Sequence, residues 1–354
     1  MKNRSIQLVV LLLMMTVISS CSSVGNGDYQ DPLNHFLHVK AKDLKVDMTV
    51  NLEDYNIFKP HQLLKHEGIF FIKDGAKRGC IKTFNPETKE VNTIVQQGEG
   101  PDEMISIDDI QILDNDVVAF DHSRQKLYKV YDGQSKQKDF HELRELKLDG
   151  RAYITDFKGD GLVASGIFPD AWICCYDSDG LTAKIPHPVF DESEGLSSIE
   201  KSILFLSTHV ALKPDSSRFA YATQNGGIIG IYKNEANDSW CDVVQYAYYF
   251  PKFVKTEYSS SPIAFDREGK TGFCGLCCTN QFIYTIYSGR TIAEEGLSQN
   301  AFLCQHVLVY DWDGNPVKHY LLEKPLFQFG VDEDAGIIYG TGYDPEGCIL
   351  EYKF

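Results

Sequence analysis

Six short apolar runs of this chain end in an aromatic residue: Phe84, Tyr131, Tyr176, Tyr232, Tyr310 and Tyr352. Thirteen residues before five of them stand Phe71, Val118, Val163, Phe219 and Tyr339, and three residues before the same five stand Ile81, Tyr128, Ile173, Ile229 and Ile349. One unit therefore recurs: an apolar strand, a turn, and a second apolar strand in fixed register. A strand-built period of roughly 40–50 residues is what blades around an axis produce. The repeat predicts an all-β, six-bladed β-propeller. No Pro-, Ser- or Gly-rich break interrupts it, so one closed domain over residues 46–354 is expected.

The last blade lacks an outer strand, because the chain stops at Phe354. Val46-Asp47-Met48-Thr49-Val50-Asn51-Leu52 alternates apolar and polar with period two, as a half-buried strand does. Pairing 46–52 with 348–354 would complete the blade and close the ring, which removes exposed sheet edges. Blade five departs from the count: Tyr284 lies twenty-six residues before Tyr310, and the excess falls on the polar stretch from Ser288 to Asn300. An insertion confined to one hairpin builds on one rim and leaves the core alone.

The N-terminus carries Lys2 and Arg4, an apolar stretch from Ile6 to Ile18, then Ser19-Ser20-Cys21. That is a signal sequence with an apolar core too short for a comfortable membrane span. Ile18-Ser19-Ser20-Cys21 resembles the lipobox of bacterial lipoproteins, which implies lipidation of Cys21, cleavage before it, and a tether over 21–45. The resemblance implies a lipid-anchored protein of the bacterial cell envelope, on the outer membrane. Loss of residues 1–20 would take the net charge from −16 to −18. A chain this acidic is a poor partner for nucleic acid.

Nine cysteines follow Cys21. Cys174-Cys175 and Cys277-Cys278 sit in apolar strands and read as small buried residues. Cys274-x-x-Cys277, with Cys304 and His306 beyond, matches half a zinc site, but no second Cys-x-x-Cys follows at ribbon spacing, so no metal is expected. Asp74 and Asp121 occupy equivalent positions, ten residues before their aromatic anchors, where blades three, four and six carry Gly166, Ala222 and Gly342.

Gly98-Glu99-Gly100-Pro101-Asp102-Glu103-Met104 resembles the Gly-x-Gly-Pro-Gly-Glu-Phe segment of the TolB-like and NHL-like six-bladed propellers found among bacterial lipoproteins. The strand–Asp–strand–Asp-Gly order from Ile110 to Gly133, and the stretches Tyr284–Arg290 and Val309–Asn315, look like later parts of the same family. Asp102 stands where that motif often has glycine. The resemblance implies a binding or scaffold propeller holding a peptide, protein or glycan at its rim or central funnel. Its alternative is a hydrolase or lyase using a divalent cation such as calcium in the channel. Gly98, Gly100 and Glu103 in the crossover, Arg290 in the long hairpin and His61 are the candidate ligand-binding residues. Strand direction places Arg290 on the same rim as Glu103. No Gly-x-Ser-x-Gly elbow, P-loop or His-Glu-x-x-His is present, and no catalytic residue is assigned.

Overall fold

The computed structural model describes residues 29–76, 79–235, 239–257, 261–296, 298–343 and 346–354. Cys21 and the expected signal sequence lie outside these residues. Six blades, each with four antiparallel strands, form the ring among the described residues, and the first and fifth carry an additional parallel strand at the outer edge. Their innermost strands are Pro60–His66, Ile110–Leu113, Arg151–Lys158, Thr208–Leu212, Phe273–Cys278 and Gln328–Asp332. These pack side by side around the axis in that order, the last against the first.

The recurring sequence unit is the second and third strands of each blade. Both are covered on each face by neighbouring blades, so they carry near-continuous apolar runs. Phe70-Phe71-Ile72, Val117-Val118-Ala119-Phe120 and Trp172-Ile173-Cys174-Cys175 are all buried. Phe219 stands opposite Tyr232 at the thirteen-residue spacing. In the other four repeats the anchor pairs with the residue before: Phe70 with Phe84, Val117 with Tyr131, Leu162 with Tyr176 and Ile338 with Tyr352. The innermost strands escaped the repeat because one of their faces looks into the channel and is polar.

Closure follows the expected route. Val46–Asn51 runs antiparallel to Gly347–Lys353, with Val46 opposite Tyr352 and Asn51 opposite Cys348. The core is six wedges of buried side chains, one between each pair of adjacent blades. The wedge between the last and first blades includes Val50 and Leu52 beside Phe70, Phe84 and Tyr339. Each such aliphatic side chain contributes about 1.5–3 kcal/mol of burial. Deleting residues up to 52 is therefore expected to lower the midpoint of one cooperative urea transition of the whole ring. A minor early transition, with the main one unmoved, would contradict this.

The second half of the expected tether is folded onto the ring. Asp31 caps the short helix Pro32–His35 by accepting from Leu33 N–H at 2.9 Å, and its other oxygen accepts from Tyr287 Oη at 3.0 Å and faces Lys270 Nζ at 3.3 Å. His35 Nδ1 meets Tyr248 Oη at 2.8 Å, and Phe36 packs edge-on to Tyr310. Ala41–Leu44 then adds in parallel to Pro316–Leu326, the outer strand of blade five. An aromatic groove between blades four and five holds this strap, which a polar-tether reading of the sequence does not see. Burial holds His35 down to about 4, with His38 adding to the effect.

A histidine with a folded-state pKa below its unfolded value of 6.5 takes its proton more readily when unfolded. Acid thus favours unfolding across that interval. The stability of the wild type relative to His35→Gln is expected to fall as the pH drops from 6.5 towards 4, measured by urea unfolding. A difference that stays constant over this range would contradict the assignment.

Candidate functional site

Antiparallel order puts the crossovers between blades and the hairpins between second and third strands at one end of the ring. Two buried aspartates build that end. Asp74 accepts from Lys59 N–H and Ala76 N–H and pairs with Lys82 at 2.8 Å. Asp121 accepts from Ile105, Ser123 and Arg124 N–H and from Ser106 Oγ at 2.7 Å. Each carboxylate ties the hairpin that follows it to the crossover that enters its blade. The equivalence seen in the sequence is thus a repeated architectural clasp, and both carboxylates are fully engaged.

Side chains also bridge the innermost strands, where no backbone ladder joins one blade to the next. The Gln62 amide donates to Ile110 O and accepts from Ile110 N–H, and Gln111 accepts from Phe157 N–H. Asp109 accepts from Thr155 N–H at 2.8 Å and Asp156 from Leu212 N–H at 2.6 Å. Cys278 Sγ donates to Leu212 O at 2.9 Å.

These strands enclose a channel with a cavity of about 540 Å³, walled by all six blades. His61, Lys73, Asp108, Asp109 and Tyr153 lie towards the crossover end, and Lys158, Leu212 and Cys278 towards the other. Lys73 Nζ donates to Asp108 O at 3.1 Å. Asp108 Oδ2 meets His122 Nδ1 at 2.6 Å, and the His122 ring stacks on Tyr153 with 4.9 Å between centroids. Tyr153 is thereby fixed at the mouth. The His61 ring lies over Gly75, in the space a side chain there would take.

Asp109, Asp156 and His209 keep a little surface towards the cavity and are otherwise surrounded by protein. Burial pushes Asp109 up to about 7 against the opposing pull of Thr155 N–H and Lys73. Burial raises Asp156 as well, opposed first by Lys158 at 3.2 Å. Burial holds His209 down to about 4 and lowers His61, with Lys73 and Lys59 adding to the latter. The Cys277 thiol is pushed up to about 12, so it is a protonated wall residue and a poor nucleophile. Among the described residues no three His, Cys, Asp or Glu side chains are grouped to hold a metal ion.

Of the residues singled out from sequence, His61 lines the channel. Gly98, Gly100 and Glu103 form the turn that joins blades one and two: Glu103–Met104 adds in parallel to Val91–Gln97, and Glu103 O accepts from Arg124 Nη1 at 3.0 Å. Glu103 Oε2 accepts from Gly100 N–H at 2.9 Å, and the carboxylate fills the space over Gly98. Arg290 lies at the same end in blade five, ion-paired with Glu295 at 3.4 Å and donating to Gln305. The structure does not bring it to Glu103 or to the channel wall. Its insertion carries two short helices, Ile292–Glu295 and Ser298–Ala301.

Lys73, Asp108, Asp109, Tyr153, Asp156, Lys158 and His209 were not singled out. Tyr153, Asp156, Lys158 and His209 lie on innermost strands, where polar residues interrupt the apolar run, as in Ile154-Thr155-Asp156-Phe157-Lys158. Lys73 lies on a second strand, and Asp108 and Asp109 precede an innermost one. Exposed apolar residues also concentrate at the crossover end: Phe58, Ile105, Val189, Ile199, Val254, Phe265 and Tyr343. Among the described residues the turns of the opposite end are followed by one, Leu181.

Fold and channel define a closed six-bladed propeller with a polar axial cavity. A profile of the family described as TolB-like 6-blade propeller-like matches residues 40–334, and the chain belongs to that family. No curated protein matches it. Among solved structures it is similar to an exported protein from Bacteroides fragilis NCTC 9343, at 13% identity and a TM-score of 0.48, over 88% of this chain and 99% of the other. It is also similar to the β-propeller domain of Cps50 (Swd1) from Myceliophteria thermophila, at 9% identity and a TM-score of 0.43, over 88% and 99%.

Removing the bridge at Asp156 leaves Leu212 N–H and Lys158 without their acceptor. Asp156→Ala is expected to cost about 1–3 kcal/mol in urea unfolding, and Asp156→Asn, which keeps an acceptor, less. Equal losses in the two variants would contradict the bridging role.

Proposed function

We propose that this chain is a binding propeller of the bacterial cell envelope, held on the outer membrane through acyl chains on Cys21. It takes a peptide, protein or glycan at the crossover-end mouth of its channel and the surrounding rim. The observation that carries the reading is the convergence of features at one end. The polar mouth with His61, the exposed apolar residues and the Glu103 and Arg290 turns all lie there. The strap begins on the same rim, where Asp31 meets Tyr287 and Lys270. Rigid rings with variable loops suit recognition, since the scaffold fixes the loops and the loops choose the ligand.

Asp31 lies ten residue steps beyond Cys21. At about 3.3–3.6 Å per extended residue they keep this rim within roughly 35 Å of the membrane. Cys21→Ser is expected to move the protein from the membrane to the soluble fraction, and the intact mass of the wild type to show acylation at Cys21. An unacylated wild type would reject the anchor. Capture of envelope material by the purified protein is expected to weaken in His61→Ala, Glu103→Ala and Arg290→Ala with the melting temperature nearly unchanged. Loss of folding in any of the three would assign that residue to the framework instead.

A further inference from the structure

The channel mouth carries polar groups that the fold leaves unused. The side chains of His61, Tyr153 and Gln328 have no hydrogen-bond partner among the described residues, and His209 Nε2 is buried without one. Asp109 spends one oxygen on Thr155 N–H and turns its carboxyl into the same cavity. The five residues come from five different blades. Each lies within the first three residues of an innermost strand or immediately before it, so all five sit at the crossover end. An orphaned buried imidazole nitrogen costs about 1–3 kcal/mol unless something satisfies it.

The cations of the channel, in contrast, are already committed. Lys73 donates to Asp108 O, Lys158 pairs with Asp156, and Lys65 pairs with Glu351 at 2.6 Å. An anionic ligand would compete with these contacts for the three ammonium groups. What remains free is two imidazoles, a phenol, an amide and a carboxyl, groups that donate and accept in turn. Burial keeps both imidazoles neutral near pH 7, so each offers one donor and one acceptor.

We infer that this ring binds an uncharged polyhydroxylated ligand, a sugar unit of a glycan, with its hydroxyls on His61, Asp109, Tyr153, His209 and Gln328. The inference rests on the reading of the mouth as a binding site and names the ligand class for it. Every sugar hydroxyl donates once and accepts, which matches a ring of mixed donors and acceptors. The Tyr153 ring, held by its stack on His122, gives the apolar face of a sugar a surface to lie on. A cavity of about 540 Å³ lies within the range of small-ligand pockets.

The test applies full-length protein, solubilised in a detergent without a sugar headgroup, to a microarray of neutral, sialylated and sulfated oligosaccharides with peptides alongside. Retention on neutral oligosaccharides is expected. Tyr153→Phe and Gln328→Leu, each losing a hydrogen bond, should weaken it about tenfold. Lys45→Ala, in an exposed pair on blade five, should leave it unchanged. Retention only on sialylated or sulfated glycans, or retention on neutral ones that neither mouth variant alters, would overturn the inference. Retention on peptides alone, weakened by the mouth variants, would overturn the sugar assignment and leave the binding site standing. No retention on any spot would overturn both.

Discussion

The pairing of Val46–Asn51 with Gly347–Lys353 is the contact on which the ring depends. Every other blade has its four antiparallel strands in one continuous stretch of chain and meets its neighbours mainly through side chains, with the Gly272 N–H to Gln224 O bond adding a backbone link between blades four and five. The last blade takes its outer strand from the N-terminal side, so the wedge between the last and first blades cannot form before the ends meet. Val50 and Leu52 enter that wedge against Phe70 and Tyr339. Without it, Gly347–Lys353 would present an open edge, and Phe70, Phe84 and Tyr339 would lose part of their cover. The strap from Asp31 to Leu44 extends the same device to the seam between blades four and five.

Closure explains why the channel can be polar. Once wedges between the blades supply the apolar burial, the innermost strands are free to spend one face on bridges. Gln62, Gln111, Asp109 and Asp156 each reach a backbone group of the next blade, doing across the axis what a ladder does within a sheet. The same side chains make the channel narrow, and narrowness desolvates whatever faces it. Asp109 and His209 are shifted in opposite directions by that one cause, because the neutral form is the acid of one and the base of the other.

Fold and closure were legible in the sequence because apolar repetition and period-two alternation report burial directly. The aromatic anchors from Phe84 to Tyr352 marked third strands, and Val46–Leu52 marked the missing one. The innermost strands were less legible. Thr208–Leu212 is short, and the polar residues of Arg151–Lys158 break the apolar run that the repeat selects. The candidate site suffered most, since it consists of one residue from each of several such strands, brought together only by the ring. His61 was within reach because it stands beside a crossover, whereas His209 and Gln328 carry no local motif. Gly98, Gly100 and Glu103 stood out in the sequence because turns have local signatures, and the structure shows that signature to be a closed turn. Thr83, opposite Phe71, and the strap residue Phe36 show the same limit: register and distant packing are decided by the whole chain.

Native-state hydrogen exchange tests the dependence on closure most directly. If the ring is one cooperative unit locked by its ends, amides of Val46–Asn51 and Gly347–Lys353 should exchange with the same opening free energy as those of Thr208–Leu212 on the far side of the axis. That energy should equal the global stability and fall equally with added denaturant. Markedly weaker protection of Val46–Asn51, with Thr208–Leu212 still exchanging only through global unfolding, would show that the ring stands without its closing strand and would contradict the account.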